Sequence, residues 1–408
     1  MFNISLLLSA AVIIICVLAN KLSNKIGMPV LIAFIALGMV FGSDGILKIP
    51  FENYSFAEQI CSVALVFIMF YGGFGTKLSE AKPVAVKALL LSSVGVIFTA
   101  ALTTVFCFFV LKIKLLESML IGAVMSSTDA ASVFSVLRSK NLNLKYNTAS
   151  MLEMESGSND PFAYMLTVIV LSFMKGENSV GQMVYSIAAQ IGFGVLIGFL
   201  IALGAVWFMK HFTFNTSGFD AAFVLGVAVL AYALPTLVGG NGYLSAYIVG
   251  IVLGNQNIHN KKSLVHFFDG MTGLMQMLIF FLLGLLSFPS KILTVLLPSI
   301  FIALFITFVA RPLAVATVLA PFKTKISQYL VVSWAGLRGA ASIVFAIMAM
   351  VGGVTMEQDV FHIAFCVVLF SITLQGSLLP FVASKTNMID KTGSVLKTFN
   401  DYSDETEI

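Results

Sequence analysis

Residues 155–161 read Glu155-Ser156-Gly157-Ser158-Asn159-Asp160-Pro161, and they stand inside an otherwise apolar segment. A lone acid near the centre of a membrane helix costs roughly 2.5–3.5 kcal/mol on insertion scales, so Asp160 reads first as a functional group. Asp129, Glu155 and Arg338 occupy comparable apolar settings. A set of three acids and a base at such positions points to one shared site.

The rest of the chain fits that reading. Hydrophobic residues make up 59% of 408 positions and charged ones 10%, outside the usual mix for a soluble domain. The expected fold class is an all-α polytopic membrane protein. A net charge of +4 suggests no nucleic-acid partner. Cys16, Cys61, Cys107 and Cys366 fall in apolar stretches with no metal-ligand or paired spacing, so they read as packing or lipid-facing residues. The first apolar stretch has no basic residues before it, which argues for a first membrane helix over a cleaved leader.

Windows able to cross about 30 Å of hydrocarbon fall at roughly 4–20, 28–46, 57–75, 84–111, 115–138, 148–174, 181–210, 219–237, 241–254, 267–288, 292–320, 326–350 and 359–384. This gives about thirteen spans. Assigning Lys and Arg to alternate sides puts sixteen residues, from Lys21 to Lys397, on one side; the other receives Lys48, Lys112, Lys114, Lys175 and Lys291. By the positive-inside rule the first side is cytoplasmic, with the N-terminus outside and the C-terminus inside. Asp129, Asp160 and Arg338 then lie roughly 16–20 Å deep at 1.5 Å per residue, in one layer near the midplane.

Spans 5 and 12 carry helix-weakening sequence at that depth, Ser126-Ser127-Thr128-Asp129 and Gly336-Leu337-Arg338-Gly339. Interrupted segments at matching places in oppositely directed halves are the signature of an inverted-repeat transporter. Spans 1–6 and 8–13 form the expected six-helix halves, with discontinuous helices 5 and 12 crossing at the midplane.

On span 6, Ser156 and Asp160 are four apart and share one face, with Glu155 and Asn159 on the adjacent stripe. Thr128 and Asp129 would add a backbone carbonyl and a second carboxylate from the unwound span 5. Hard oxygen groups suit an alkali cation as cargo. Burial favours protonation of such a carboxylate and a bound cation opposes it, so proton and cation would compete for Asp160. Asn159, an amide, adds no second titrating group, which suggests one proton per monovalent cation. Arg338 needs an anionic partner, and Glu155 is the candidate because Asp129 and Asp160 are wanted for the ion.

The three stretches Ser127-Thr128-Asp129-Ala130-Ala131, Glu155 to Asp160, and Gly336-Leu337-Arg338-Gly339-Ala340 resemble the monovalent cation/proton antiporter-1 family, the sodium/proton exchangers. The wording of the middle stretch is most similar to the bacterial potassium-or-sodium/proton branch of the cell-volume-regulation type. The resemblance implies antiport of Na⁺, with K⁺ as the alternative, for H⁺ by alternating access. No cofactor is implied, and the setting is the bacterial inner membrane. It implies a homodimer within membrane lipid, with a core at about 84–174 and 292–384 inside a scaffold at about 1–75 and 181–288. Asp160 would be the carrier, Asn159 the amide of the electroneutral subgroup, Asp129, Ser156 and the Thr128 carbonyl its helpers, and Glu155 with Arg338 an ion pair. Members of this branch often carry cytosolic regulatory domains after the membrane part; here residues 387–408 read as a short polar, disordered tail.

Arg311-Pro312 reads as structural, the arginine bonding carbonyls freed by the proline. The glycines Gly192, Gly194 and Gly198 read as helix packing, and Gly239-Gly240-Asn241-Gly242 as a turn. A cation channel using the same acids lacks a pore-loop signature. An intramembrane hydrolase built on Ser156 or Ser158 lacks a nearby base.

Overall fold

The computed structural model describes residues 7, 10–19, 30–139, 142–176, 179–212 and 218–390. Lys21, Lys25, Lys140, Lys391 and Lys397, and the tail from 391 onward, lie outside the described residues. The chain is a bundle of helices, which we number α1 (Ala10–Ala19), α2 (Val30–Phe41), α3 (Tyr54–Gly75), α4 (Ala85–Phe109), α5 (Leu115–Val124), α6 (Ala130–Ser139), α7 (Thr148–Met174), α8 (Val180–His211), α9 (Phe219–Leu237), α10 (Gly242–Gly254), α11 (Lys261–Leu286), α12 (Pro289–Phe322), α13 (Ile326–Trp334), α14 (Ala340–Val351) and α15 (Val360–Lys385). Seven of them are long and apolar enough to cross a membrane. Helix α7 spans 27 residues yet is not among the seven, because the polar stripe around Asp160 lowers its hydropathy.

The helices start where side chains can take up the free N–H groups of a first turn. Asn53 accepts from the Phe56 N–H at 3.0 Å, Asn241 from the Leu244 N–H at 3.0 Å and Asp359 from the His362 N–H at 3.1 Å. Ser179 and Gln182 close a reciprocal box at the start of α8. The outer faces are apolar: Leu196, Phe199, Leu200 and Trp207 of α8 are exposed, as expected of a helix solvated by lipid.

Small residues let backbones meet. A Cβ on Gly38 of α2 would collide with the Phe281 carbonyl of α11, and one on Gly250 of α10 with the Phe70 carbonyl of α3. Gly194 and Gly198 of α8 stand against Asn241 and Ser245 in the same way, whereas Gly192 faces open space. All four cysteines are buried and free.

The described elements are helical apart from one short strand pair, in which Asn143–Leu144 runs antiparallel to Ile389–Asp390. The second of these strands lies in the segment read from the sequence as the start of the tail. Its backbone finds partners in the loop after α6, with the Lys145 N–H donating to the Met388 carbonyl at 2.9 Å.

Candidate functional site

The stretches read from the sequence as spans 5 and 12 are both interrupted, and the interruptions face each other. Helix α5 closes at Val124, residues 127–129 are not helical, and α6 starts at Ala130. Helix α13 closes at Trp334, and α14 starts at Ala340. The Asp129 N–H donates to the Leu337 carbonyl at 2.8 Å, tying one break to the other. A Cβ on Gly339 would run into the Asp129 carboxylate, so glycine at 339 is what lets the two breaks close together.

Half-helix ends leave N–H and C=O groups without intrahelical partners. Asp129 serves the start of α6, accepting from the Ser132 hydroxyl at 2.6 Å and the Ser132 N–H at 3.3 Å. A negative group there also complements the positive end of the helix dipole. Arg338 serves the end of α5: its Nη1 donates to the Ser126 carbonyl at 2.9 Å and to the Ser127 carbonyl. Its own N–H donates to the Ser371 hydroxyl at 3.0 Å, which donates to Gln375 at 2.9 Å. Gln375 and Trp334 are held reciprocally, side chain to backbone, at 2.6 and 2.9 Å. A charged donor on a carbonyl is among the stronger hydrogen bonds.

The expected pair of Glu155 with Arg338 is not what forms. Glu155 Oε1 lies 2.6 Å from Arg311 Nη1, both side chains almost wholly buried. The roles of the two arginines are exchanged relative to the sequence reading, which gave the freed carbonyls to Arg311. Depth along a helix did not fix the partner, because Arg338 lies in non-helical chain and Arg311 directly succeeds a π-helical turn, Ile306–Ala310. Such a turn adds a residue and rotates the remainder of the helix about its axis. Gly336 makes room for the pair, since a Cβ there would sit 2.7 Å from Arg311 Nε.

Asp160 stands at 4% exposure on α7, and its Oδ1 accepts the Ser127 hydroxyl. One turn earlier, the Ser156 hydroxyl donates to the Thr128 carbonyl at 2.6 Å. Asn159 Nδ2 donates to the Thr128 hydroxyl, and its Oδ1 has no hydrogen-bond partner among the described residues. Asp160, Ser156, Asn159 and Thr128 are thus brought together, with Asp129 at the far end of the same short segment. Ser127 was missed as a site residue, although its place in the Ser-Ser-Thr-Asp stretch was a signal. The result is a carboxylate among hydroxyl, amide and carbonyl oxygens at the meeting point of two broken helices. Pro161, the next residue, has no N–H to offer the preceding turn, and the Asn241 amide at the start of α10 donates to its carbonyl at 2.8 Å.

Comparison with known proteins places this geometry. The model of the family described as "Sodium/hydrogen exchanger, transmembrane" matches residues 8–385. A K(+)/H(+) antiporter NhaP2 of Shewanella sp. (strain ANA-3) is 36% identical over 388 residues, covering 93% of this chain and 67% of the relative. A K(+)/H(+) antiporter NhaP of Alkalimonas amylolytica is 34% identical over 378 residues, covering 92% and 65%. This chain therefore spans about two thirds of the length of these relatives. The structure of the sodium proton antiporter MjNhaP1 from Methanocaldococcus jannaschii superposes with a TM-score of 0.83 at 22% identity, covering 94% of this chain and 99% of that one, which shows a shared fold. The family match over nearly the whole chain, together with the relatives above 30% identity, makes this protein a member of the sodium/hydrogen exchanger family of transmembrane proteins.

Proposed function

We propose that this protein is a secondary antiporter that exchanges a monovalent cation for a proton, with Asp160 as the shared carrier. The observation that carries the reading is the Asp160 carboxylate on α7, bonded to Ser127 in the break between α5 and α6. Ser156, Thr128, Asn159 and Asp129 supply further oxygens around it. A carboxylate desolvated there favours the proton, and a cation held by the same oxygens displaces it. If the empty, charged site cannot change sides, exchange is obligatory. Asn159 keeps the titrating count at one, so we assign one proton per cation and electroneutral turnover. Arg338 holds the carbonyl end of α5, and the Glu155–Arg311 pair fastens α7 to α12.

The finer architecture is part of the same reading. We assign about thirteen spans in two inverted six-helix halves, with α5–α6 and α13–α14 as the discontinuous fifth and twelfth. A core at about 84–174 and 292–384 would move against a scaffold at about 1–75 and 181–288, and two copies would form a homodimer in a bacterial inner membrane. The lysine asymmetry supports an external N-terminus.

Na⁺ is the reading from the site, and K⁺ is favoured by the names of the relatives at 34–36% identity. Both cations take oxygen ligands. Everted vesicles carrying a pH dye test the proposal: cation addition should alkalinise the lumen, and titrating Na⁺, K⁺ and Li⁺ in turn across pH 6–9 ranks the cargo. Cation flux without proton movement would transfer the protein to the channel class.

A further inference from the structure

A second polar cluster lies in the apolar seam beyond Asp160. Glu58, in the second turn of α3, accepts the Ser62 hydroxyl at 2.9 Å. The Tyr243 hydroxyl of α10 lies beside those of Ser62 and of Tyr232, and the Tyr232 and Tyr243 rings are 5.0 Å apart. Tyr243 also meets Tyr164 of α7 edge to face, at 5.0 Å and 79°, and Tyr164 packs on Phe345 of α14 at 5.9 Å. The Glu58 charge is felt at both Tyr164 and Tyr232. Glu58 is half-buried, and no basic residue among the described ones pairs with it.

The direction of this cluster from the carrier is set by shared neighbours. Gly73 and Gly157 both lie against Tyr247, while Ser62 and Tyr164 both lie beside Tyr243. Moving from Gly73 toward Glu58 along α3 therefore runs the same way as moving from Gly157 past Asp160 toward Met174 along α7. Tyr164 is four residues beyond Asp160, about 6 Å along the helix. Glu58 lies farther out, on the far side of the aromatic layer.

We propose that Glu58, Ser62, Tyr243 and Tyr232 form a staging site for the transported monovalent cation on the Met174 side of Asp160, with Tyr164, packed between Tyr243 and Phe345, as the seal separating the two. The proposal rests on the antiport reading and adds a second cation position to it. The chemistry is that of a hard cation: one carboxylate and three hydroxyls in reach, with aromatic faces that tolerate a partly dehydrated ion. A half-buried carboxylate near low-dielectric aromatic rings also concentrates counter-ions. Tyr164 and Phe345 belong to the helices that carry the site, and Tyr243 and Glu58 to the helices facing them. A shift of α7 along α10 would part Tyr164 from Tyr243 and open Asp160 to the staged ion.

The test is the apparent KM for Na⁺ and for K⁺ measured separately from each face, in right-side-out and everted vesicles. Glu58→Gln should raise KM on the order of three- to tenfold on the face where α7 ends at Met174 and leave KM at the opposite face near the parent value. Glu58→Asp should restore most of the difference, which a purely structural role would not produce. KM does not depend on how much protein reaches the membrane, so poor expression does not mask the result. An unchanged KM at the Met174 face, or an equal rise at both faces, overturns the staging site. Asp160→Asn in the same vesicles keeps the two proposals apart: silence there with a normal Glu58→Gln defeats the staging site alone, and continued exchange there defeats the antiport reading itself.

Discussion

Glu155 and Arg311 form a buried ion pair at 2.6 Å that joins α7 to α12, while Arg338 directs its charge to the backbone of a broken helix. Removing one member of a buried pair leaves the other charge uncompensated, at about 3–5 kcal/mol. Glu155→Gln and Arg311→Met should each lower the melting temperature of the purified protein, and the double variant should lie well above the sum of the two losses. The same cycle run between Glu155 and Arg338 should show the smaller coupling energy. Equal coupling in both cycles would contradict the pairing.

Gly339 gives a steric prediction. A methyl group there would collide with the Asp129 carboxylate, which caps α6 and is tied through its N–H to Leu337. Gly339→Ala should depress exchange on the order of tenfold to a hundredfold, because displacing a reacting group by about an ångström has that scale of effect. Gly72→Ala, where an added Cβ meets nothing within 4 Å, should exchange normally. Vesicle transport normalised to protein amount reads both.

Much of this site is legible in the sequence because the membrane makes charge expensive. Asp160, Asp129 and Arg338 declare themselves by depth alone, and the Ser126–Asp129 and Gly336–Gly339 stretches declare the breaks by composition. The Ser156–Asp160 face comes from helical spacing. The arginine partners are not legible, because partner choice depends on rotation about the helix axis. Three π-helical turns, Leu91–Gly95, Ile306–Ala310 and Ser371–Gly376, shift that phase without a signal in hydropathy. The Ser371–Gln375–Trp334 support behind Arg338 is invisible for the same reason: these polar residues are scattered, and only the fold gathers them.

Asp359, at the start of α15, gives a pH prediction. Burial would raise its carboxyl, but the His362 ring at 2.7 Å and the His362 N–H outweigh burial and hold it below the ordinary carboxylate range. A carboxylate depressed in the folded state contributes stability that is present above its unfolded value of about 3.9 and is lost as pH falls through the lower folded value. Melting temperature measured from pH 7 down to pH 3 should therefore fall on the acid side less steeply in Asp359→Asn than in the parent. An identical acid limb in the two proteins would contradict the contribution.

Asn159 gives a prediction about charge. If Asp160 alone exchanges its proton, as proposed, the amide at Asn159 adds no second titrating group, and exchange should move one proton against one monovalent cation with no net charge. Clamping vesicles at about 0 and about 100 mV, where a moved charge would feel roughly 2.3 kcal/mol, should leave the exchange rate unchanged at fixed pH. A strong response to potential would mean a second proton per cycle.

The carrier role of Asp160 is tested most directly by cation-induced dequenching of a pH dye in everted vesicles of the parent and of Asp160→Asn. The parent should alkalinise the lumen on addition of Na⁺ or K⁺, and Asp160→Asn, at equal protein in the membrane, should give no response to either cation at any pH from 6 to 9. Cation-driven proton movement persisting in Asp160→Asn would contradict the account.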